Sequence, residues 1–480
     1  MTKLKTLTLG LLAATALLAA GCGGATNVGS GGSGAALVSP NAVAFVSVDS
    51  DLGSSQWKQL DALSKKFPGR DLLLQKIDHE LAKDGVDFKN DVEPALGPEV
   101  DFAFVPAETG KHVAVVGLTK PDDAGKFKDL VKRLNASESS GQQEVYREVD
   151  GWYVVGDTQA QIDQALKSGD QSLSDESAYN DALGTLPSDA LAKAYVNGPQ
   201  LAKLIHEYGR GSGSGLTAAA PGLEKLDFVS AALTAESDGL RALGAVQGSG
   251  AGDFVGSGDY TSKLIGEVPS DALAFLTFRS AQGIGSALSS AEAPLESALG
   301  VSVDELVQLF ANETALYVRP GAVIPEITLL LQPKNTDTAL ATLDKLAARI
   351  ARASGGTLKR GTQRTIDFGE FAVHYGAKDG KVVVTSAPGG IAQVGNPSEK
   401  LTESADFNEA KSAAGLPDSN GGYVYIDLKN AIPLIEGFAG IAGSNLPPTV
   451  TENLRPLRSF LAWSAGSGDK RTFDVFLEIK

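Results

Sequence analysis

The sequence has 480 residues, 42% of them apolar, a formal net charge of −16 and a single cysteine. That much apolar material is ample for two or more cores. One cysteine excludes an intramolecular disulfide and a cysteine-built metal site, and an acidic chain without basic clusters interleaved with aromatics argues against a nucleic-acid partner.

At the N-terminus Lys3 and Lys5 precede an uncharged, mostly apolar run over residues 7–20. A bilayer span takes about 20 apolar residues, so this shorter run fits the core of a secretory signal. Leu18-Ala19-Ala20-Gly21-Cys22 follows, small residues at a cleavage point and then a thiol nucleophilic enough to be acylated. The stretch resembles the lipobox of bacterial lipoproteins, with Ala19 where a larger aliphatic residue is commoner. The expectation is a signal peptide over 1–21 and Cys22 as the lipid-bearing first residue of an extracytoplasmic protein held on the bacterial cell membrane. Removing residues 1–21 leaves 40 basic and 58 acidic side chains, a net charge of −18. Residues 22–38, rich in Gly, Ser and Ala, read as a flexible tether with a reach of roughly 20 to 25 Å.

Further along, short apolar or alternating runs at 43–48, 100–105, 113–119, 152–155 and 195–196 predict strands. Phe127, Leu130, Val131 and Leu134 recur at helical spacing after Lys120-Pro121-Asp122, which predicts a helix with proline in its first turn. Asp157 and Ser386 each fall between a strand and a helical stretch and are expected N-caps, as are Ser174 and Thr402. Asp150-Gly151 and Ser237-Asp238-Gly239 are turns too short for anything but antiparallel hairpins.

The chain repeats itself. PNAVAF at 40–45 returns as PSDALAF at 269–275, LGPEVDFAFVP at 96–106 as FANETALYVRP at 310–320, and Asp150-Gly151 as Asp379-Gly380. Pro187 and Pro417 extend the match. The reading is α+β, two tandem homologous domains, each an antiparallel sheet with helices packed on one face. The expected boundaries are 39–248 for the first domain, 249–266 for a Gly-rich linker and 267–480 for the second.

These motifs, the opening strand Pro-x-Ala-x-Ala-Phe at 40–45 and Pro-x-x-Ala-x-Ala-Phe at 269–275, the Leu96-Gly97-Pro98-Glu99 turn, the Asp150-Gly151 hairpin and Leu173-Ser174-Asp175 before Tyr179, are similar to those of the bacterial envelope proteins catalogued as domain of unknown function 3352. The resemblance covers most of the chain after Cys22. It implies an exported or membrane-tethered protein, and brings no activity, cofactor or catalytic residue with it.

Motifs that carry chemistry are weak. His79, His112, His206 and His374 are scattered without metal-ligand spacing, and Asp84, Asp87, Asp91 and Glu93 lack the alternating ligands and central glycine of a calcium loop. Ser55-Gln56-Trp57-Lys58 and Ser467-Gly468-Asp469-Lys470 have the Ser-x-x-Lys spacing of some acyl transferases without the companion Lys-Thr-Gly. No cofactor is expected, and the reading is a non-catalytic envelope lipoprotein that binds an apolar small molecule or an envelope protein through the surface of its two halves. A structural or assembly lipoprotein and a hydrolase with a site dispersed in sequence are the other two classes. The segment 432–446 is nearly all apolar with glycines at 437, 440 and 443, so it should begin helical and turn irregular before Pro447-Pro448. Phe438, Ile441 and Leu446 are the candidate apolar contact, with packing on the second domain's sheet as the plainer alternative.

Overall fold

The computed structural model describes residues 34–107, 113–136, 138, 143–167, 169–212, 223–251, 258–279, 292–321, 324–361, 363–395, 397–441 and 446–480. No helix among them is long and apolar enough to cross a membrane. The chain divides into two compact units, residues up to Gly248 together with Ile479 and Lys480, and Ser249–Glu478.

In the first unit the strands are β1 (Ala44–Asp49), β2 (Glu99–Pro106), β3 (Val113–Thr119), β4 (Val145–Val149), β5 (Trp152–Gly156), β6 (Ala192–Asn197), β7 (Phe228–Glu236) and β8 (Gly239–Gln247). All pair antiparallel, in the order β4-β5-β3-β2-β1-β6-β7-β8. The second unit contains β9 (Ala274–Arg279), β10 (Glu313–Arg319), β11 (Glu326–Leu331), β12 (Thr357–Lys359), β13 (Arg364–Asp367), β14 (Ala372–Lys378), β15 (Lys381–Thr385), β16 (Gly422–Asp427), β17 (Leu457–Ser467) and β18 (Lys470–Ile479). Its order is β12-β13-β14-β15-β11-β10-β9-β16-β17, again antiparallel throughout. Here β12 and β13 extend the edge beyond β14, in the stretch where the second half of the sequence is the longer.

Helices cover both faces of each sheet, which corrects the expectation of helices on one face. Neighbouring strand residues point to opposite sides. Val154 on β5 packs with Ile162, Ala165, Tyr179 and Ala182, from the helices Gln159–Ala165 and Ser177–Leu183. Its neighbours Tyr153 and Val155 pack with Phe127, Leu130, Val131 and Leu134 of the helix Ala124–Ala136. The second unit repeats this: Leu330 and Val383 share a cluster with Phe407 and Ala410, whereas Leu331 and Val382 meet Ala339, Leu340 and Ala347 of the long helix Thr336–Ser354. Nearly continuous apolar runs in the central strands permit burial on both sides, each large side chain contributing about 1.5–3 kcal/mol.

Both units begin earlier than the repeat implied. Residues 34–38, expected in the tether, form a 3-10 turn and a bridge, with Ala35 and Val38 fully buried. Residues 258–266, expected in the linker, bring Tyr260 and Leu264 into the second core. Gly- and Ser-rich composition hid these segments, because their few apolar side chains gain a core only from the sheet they meet.

The caps also shift by a residue or two. Thr158 rather than Asp157 accepts from Gln161 N–H and caps its helix, and Asp123 accepts from Gly125 and Lys126 ahead of Ala124–Ala136, leaving Pro121 outside. Ser386 accepts from Ile327 N–H, tying β15's end to β11 rather than capping. Ser174 and Thr402 sit inside 3-10 turns, where their carbonyls accept from Asn180 and Asn408; Ser404 caps the helix Ala405–Ala414.

Asp150-Gly151 and Asp379-Gly380 join their strand pairs with φ of 52° and 80°, and 49° and 75°. Two consecutive positive φ values make a type I′ turn, whose twist matches the strands it connects, and Asp-Gly tolerates it best. Gly97 is held differently: at φ +67° an added Cβ would lie 1.9 Å from the Lys120 carbonyl oxygen, whereas at Gly380 nothing lies within 4 Å. Gly380→Ala is therefore expected to cost only the left-handed strain, about 1 kcal/mol, and Gly97→Ala at least about 2–3 kcal/mol. Urea denaturation of the two variants beside the parent checks the order.

Candidate functional site

Cys22 lies outside the described residues, and so do residues 442–445 and the side chain of Ile441. The remaining candidates sit on one stretch of the second unit. Asp427 ends β16 and accepts from Asn430 N–H at 3.0 Å, capping the helix Leu428–Ile441. The helix runs past Pro433 and Gly437 and lies along β16 and β17. None of the residues 428–438 is fully buried: Leu434 and Phe438, four apart on one side, are half-buried, and Ile435 is 59% exposed. Leu446 is 37% exposed, and in the helix Pro448–Leu454, which buries no residue, Val450 is 41% exposed. The helix rests on its own sheet, and its outer side offers Ile435 to water.

A second group is polar and was not singled out from sequence. Asp101 on β2 is fully buried beside Glu99 and Ser47, and its Oδ2 accepts from Gly34 N–H at 2.9 Å. Burial holds the Asp101 carboxyl well above the usual carboxylate range, and the Glu99 charge adds to it. Burial likewise raises Glu99, against the opposing pull of its bonds to Asp101 and Ser47 and of the Lys193 charge. In the second unit Glu313 on β10 takes this place: it accepts from Ser262 Oγ (2.5 Å), Lys263 N–H, Leu264 N–H and Thr277 Oγ1. Each buried carboxylate thus satisfies N–H groups of the turn that opens its unit, which those segments cannot satisfy themselves. Asp49 holds a third such position, accepting from Ser54 Oγ at 2.6 Å and Asp51 N–H at 2.9 Å where the helix Ser55–Ser64 begins. A glutamate or aspartate within an otherwise apolar strand run, such as Glu99-Val100-Asp101-Phe102, is the signal that could have found them.

The motifs weighed earlier take structural parts. Asp87 accepts from Asn90 N–H, and Asp91 pairs with Arg133 and Lys126, so these carboxylates bind backbone and cations of their own chain. Among the described residues no group of three or more His, Cys, Asp or Glu is placed to hold a metal ion. Ser55 opens a helix behind the Ser54 cap, and Gly468-Asp469 is the turn between β17 and β18. His206 bonds Glu224, and His374 Nδ1 lies 2.9 Å from Thr365 Oγ1.

The family described as protein of unknown function (DUF3352) matches residues 5–479. The chain belongs to that family. No curated protein matches it. Two solved structures of TP0453 align with it: crystal form IV at 12% identity, covering 45% of this chain and 93% of that one with a TM-score of 0.24, and crystal form I at 11%, 46%, 92% and 0.22. Those TM-scores are too low for the likeness to carry a fold or a function.

Asp49 gives the site a pH signature. Burial pushes its carboxyl up to about 6. A group whose folded pKa is raised holds its proton longer in the native state, so this contribution is greatest below the unfolded value near 4 and is lost as pH rises through about 6. Asp49→Asn keeps the acceptor and removes the titration. Between pH 4.5 and 7, the parent is expected to lose on the order of 2 kcal/mol more stability than the variant, read from denaturant midpoints at each pH.

Proposed function

We propose that this member of the family is a non-catalytic lipoprotein of the bacterial cell envelope, anchored through Cys22, whose two units are copies of one α+β domain and whose second unit binds an apolar partner. The observation that carries the binding part is the helix Leu428–Ile441, which leaves Ile435 exposed and Phe438 half-buried. Contiguous apolar surface marks contact sites, and Leu434, Ile435 and Phe438 place three partly or fully exposed apolar side chains on one helix. Support for the duplication comes from the shared strand order, the two Asp-Gly turns at positive φ, and Asn180 and Asn408 making the same bond in each unit. A non-catalytic reading is favoured because the buried carboxylates Asp101, Glu313 and Asp427 are engaged in holding turns and helix starts. The anchor rests on residues 18–22 and the apolar run before them.

Anchoring is tested by fractionation. One acyl chain holds a protein on a membrane only marginally and two or more hold it stably, so Cys22→Ser should move the protein from the membrane pellet to the soluble fraction. A serine variant that still pellets after a high-salt wash refutes the anchor.

The contact surface is tested by Ile435→Ser combined with Val450→Ser. Because both side chains are exposed, folding stability should change by less than about 0.5 kcal/mol each. Cross-linking of the helix to lipid or to an envelope protein in intact cells should fall severalfold. Loss of stability without loss of cross-linking means that these residues only pack.

A further inference from the structure

The geometry of β2 carries an inference beyond binding. Glu99 and Asp101 are two apart on one strand, so their side chains share the face that also carries Ala103 and Phe45. Asp101 is 0% exposed and Ser47 on β1 lies within reach of both acids, yet Asp101 Oδ1 and Glu99 Oε1 are left without a hydrogen bond of normal geometry among the described residues. Buried polar atoms rarely stay unpaired. Two carboxyl groups facing each other leave such a pair of oxygens when one proton lies between them, which lets one acid donate to the other and spares the site two adjacent charges. The other Asp101 oxygen accepts from Gly34 N–H.

We propose that Glu99 and Asp101 hold one proton between them, and that this proton latches residues 34–38 onto the first unit, so that its loss frees the junction between tether and fold. The latched segment is held at three further points: Ser39 N–H to Ala165 O, Lys167 N–H to Leu37 O, and Leu173 N–H to Val38 O, each 2.8 Å. Gly34 itself has no room to adjust, since an added Cβ would meet Asp101 Oδ2 at 2.6 Å and Leu118 at 3.2 Å. When the proton leaves to solvent, both carboxylates are charged in a buried site; the Gly34 N–H favours the charged Asp101, but burial and the Glu99 charge, the larger effects, oppose it and are relieved when the segment opens. The surrounding charges offset this only in part: Lys193 on β6 pulls on Glu99 but directs its ammonium to the Ser188 carbonyl at 2.8 Å, and Asp49 faces Glu99 across the β1–β2 ladder and adds a third acid. Ser47 on β1 and Leu118 on β3 contribute no charge.

Hydrogen exchange on the full-length, lipidated protein in detergent tests the latch. Protection of residues 34–38, corrected for intrinsic exchange, should fall at least about tenfold between pH 5 and pH 8, the effect of one pK unit of linkage. Asp101→Asn keeps an oxygen for Gly34 N–H but cannot ionise, so its protection should be high and flat with pH. Glu99→Gln, a second route if the first variant folds poorly, removes the partner charge and should shrink the fall to less than about threefold. Asp49→Asn should leave it in place. A flat profile in the parent, an unchanged fall in both pair variants, or a fall abolished by Asp49→Asn alone overturns the proposal.

Discussion

Each unit depends on a buried carboxylate that catches the free N–H groups of the turn with which it opens. Asp101 does so for Gly34, and Glu313 does so for Lys263 and Leu264. A short 3-10 turn has unsatisfied donors at its start, and burying them without an acceptor costs roughly 1–3 kcal/mol apiece. The carboxylate makes burial of that turn possible, and the turn in turn closes one end of the core around Ala35 and Val38, or around Leu264 and Val268. With LGPEVDFAFVP at 96–106 set against FANETALYVRP at 310–320, Glu313 falls at Glu99 and Ala315 at Asp101. The two units meet the same need from adjacent positions on one face, the second with a side chain longer by one methylene.

This choice divides the chemistry of the units. In the second, one glutamate takes four donors. In the first, two acids crowd one buried site and Gly34 supplies a single N–H, so burial raises both groups and the Glu99 charge raises Asp101 further. The same strand order surrounds both sites.

The units diverge again at their margins. Strands β12 and β13 extend the second sheet past the position where β4 is outermost among the described strands of the first. After the sixth common strand, the helix Gly198–Ser212 follows Asn197 and the more apolar helix Leu428–Ile441 follows Asp427; both caps accept from the backbone three residues on. The shared cap sets where each helix starts, and the outward side chains set what it can meet.

Much of the architecture was legible in the residues themselves. The strands at 43–48, 100–105, 113–119 and 152–155 follow from apolar runs, and the Asp-Gly hairpins follow from a turn that only a few residue types tolerate, because those constraints are local. What the sequence alone left open was decided by contacts between distant residues. Whether residues 34–38 are tether or core depends on Asp101, 67 positions away from Gly34. Helices on both faces arise because central strands apolar on both sides demand cover on both, and the sequence of one helix does not say which face it takes. Ile435 and Phe438 look alike as apolar residues in one helix, and only the placement of that helix on β16 and β17 turns one toward water and half-buries the other.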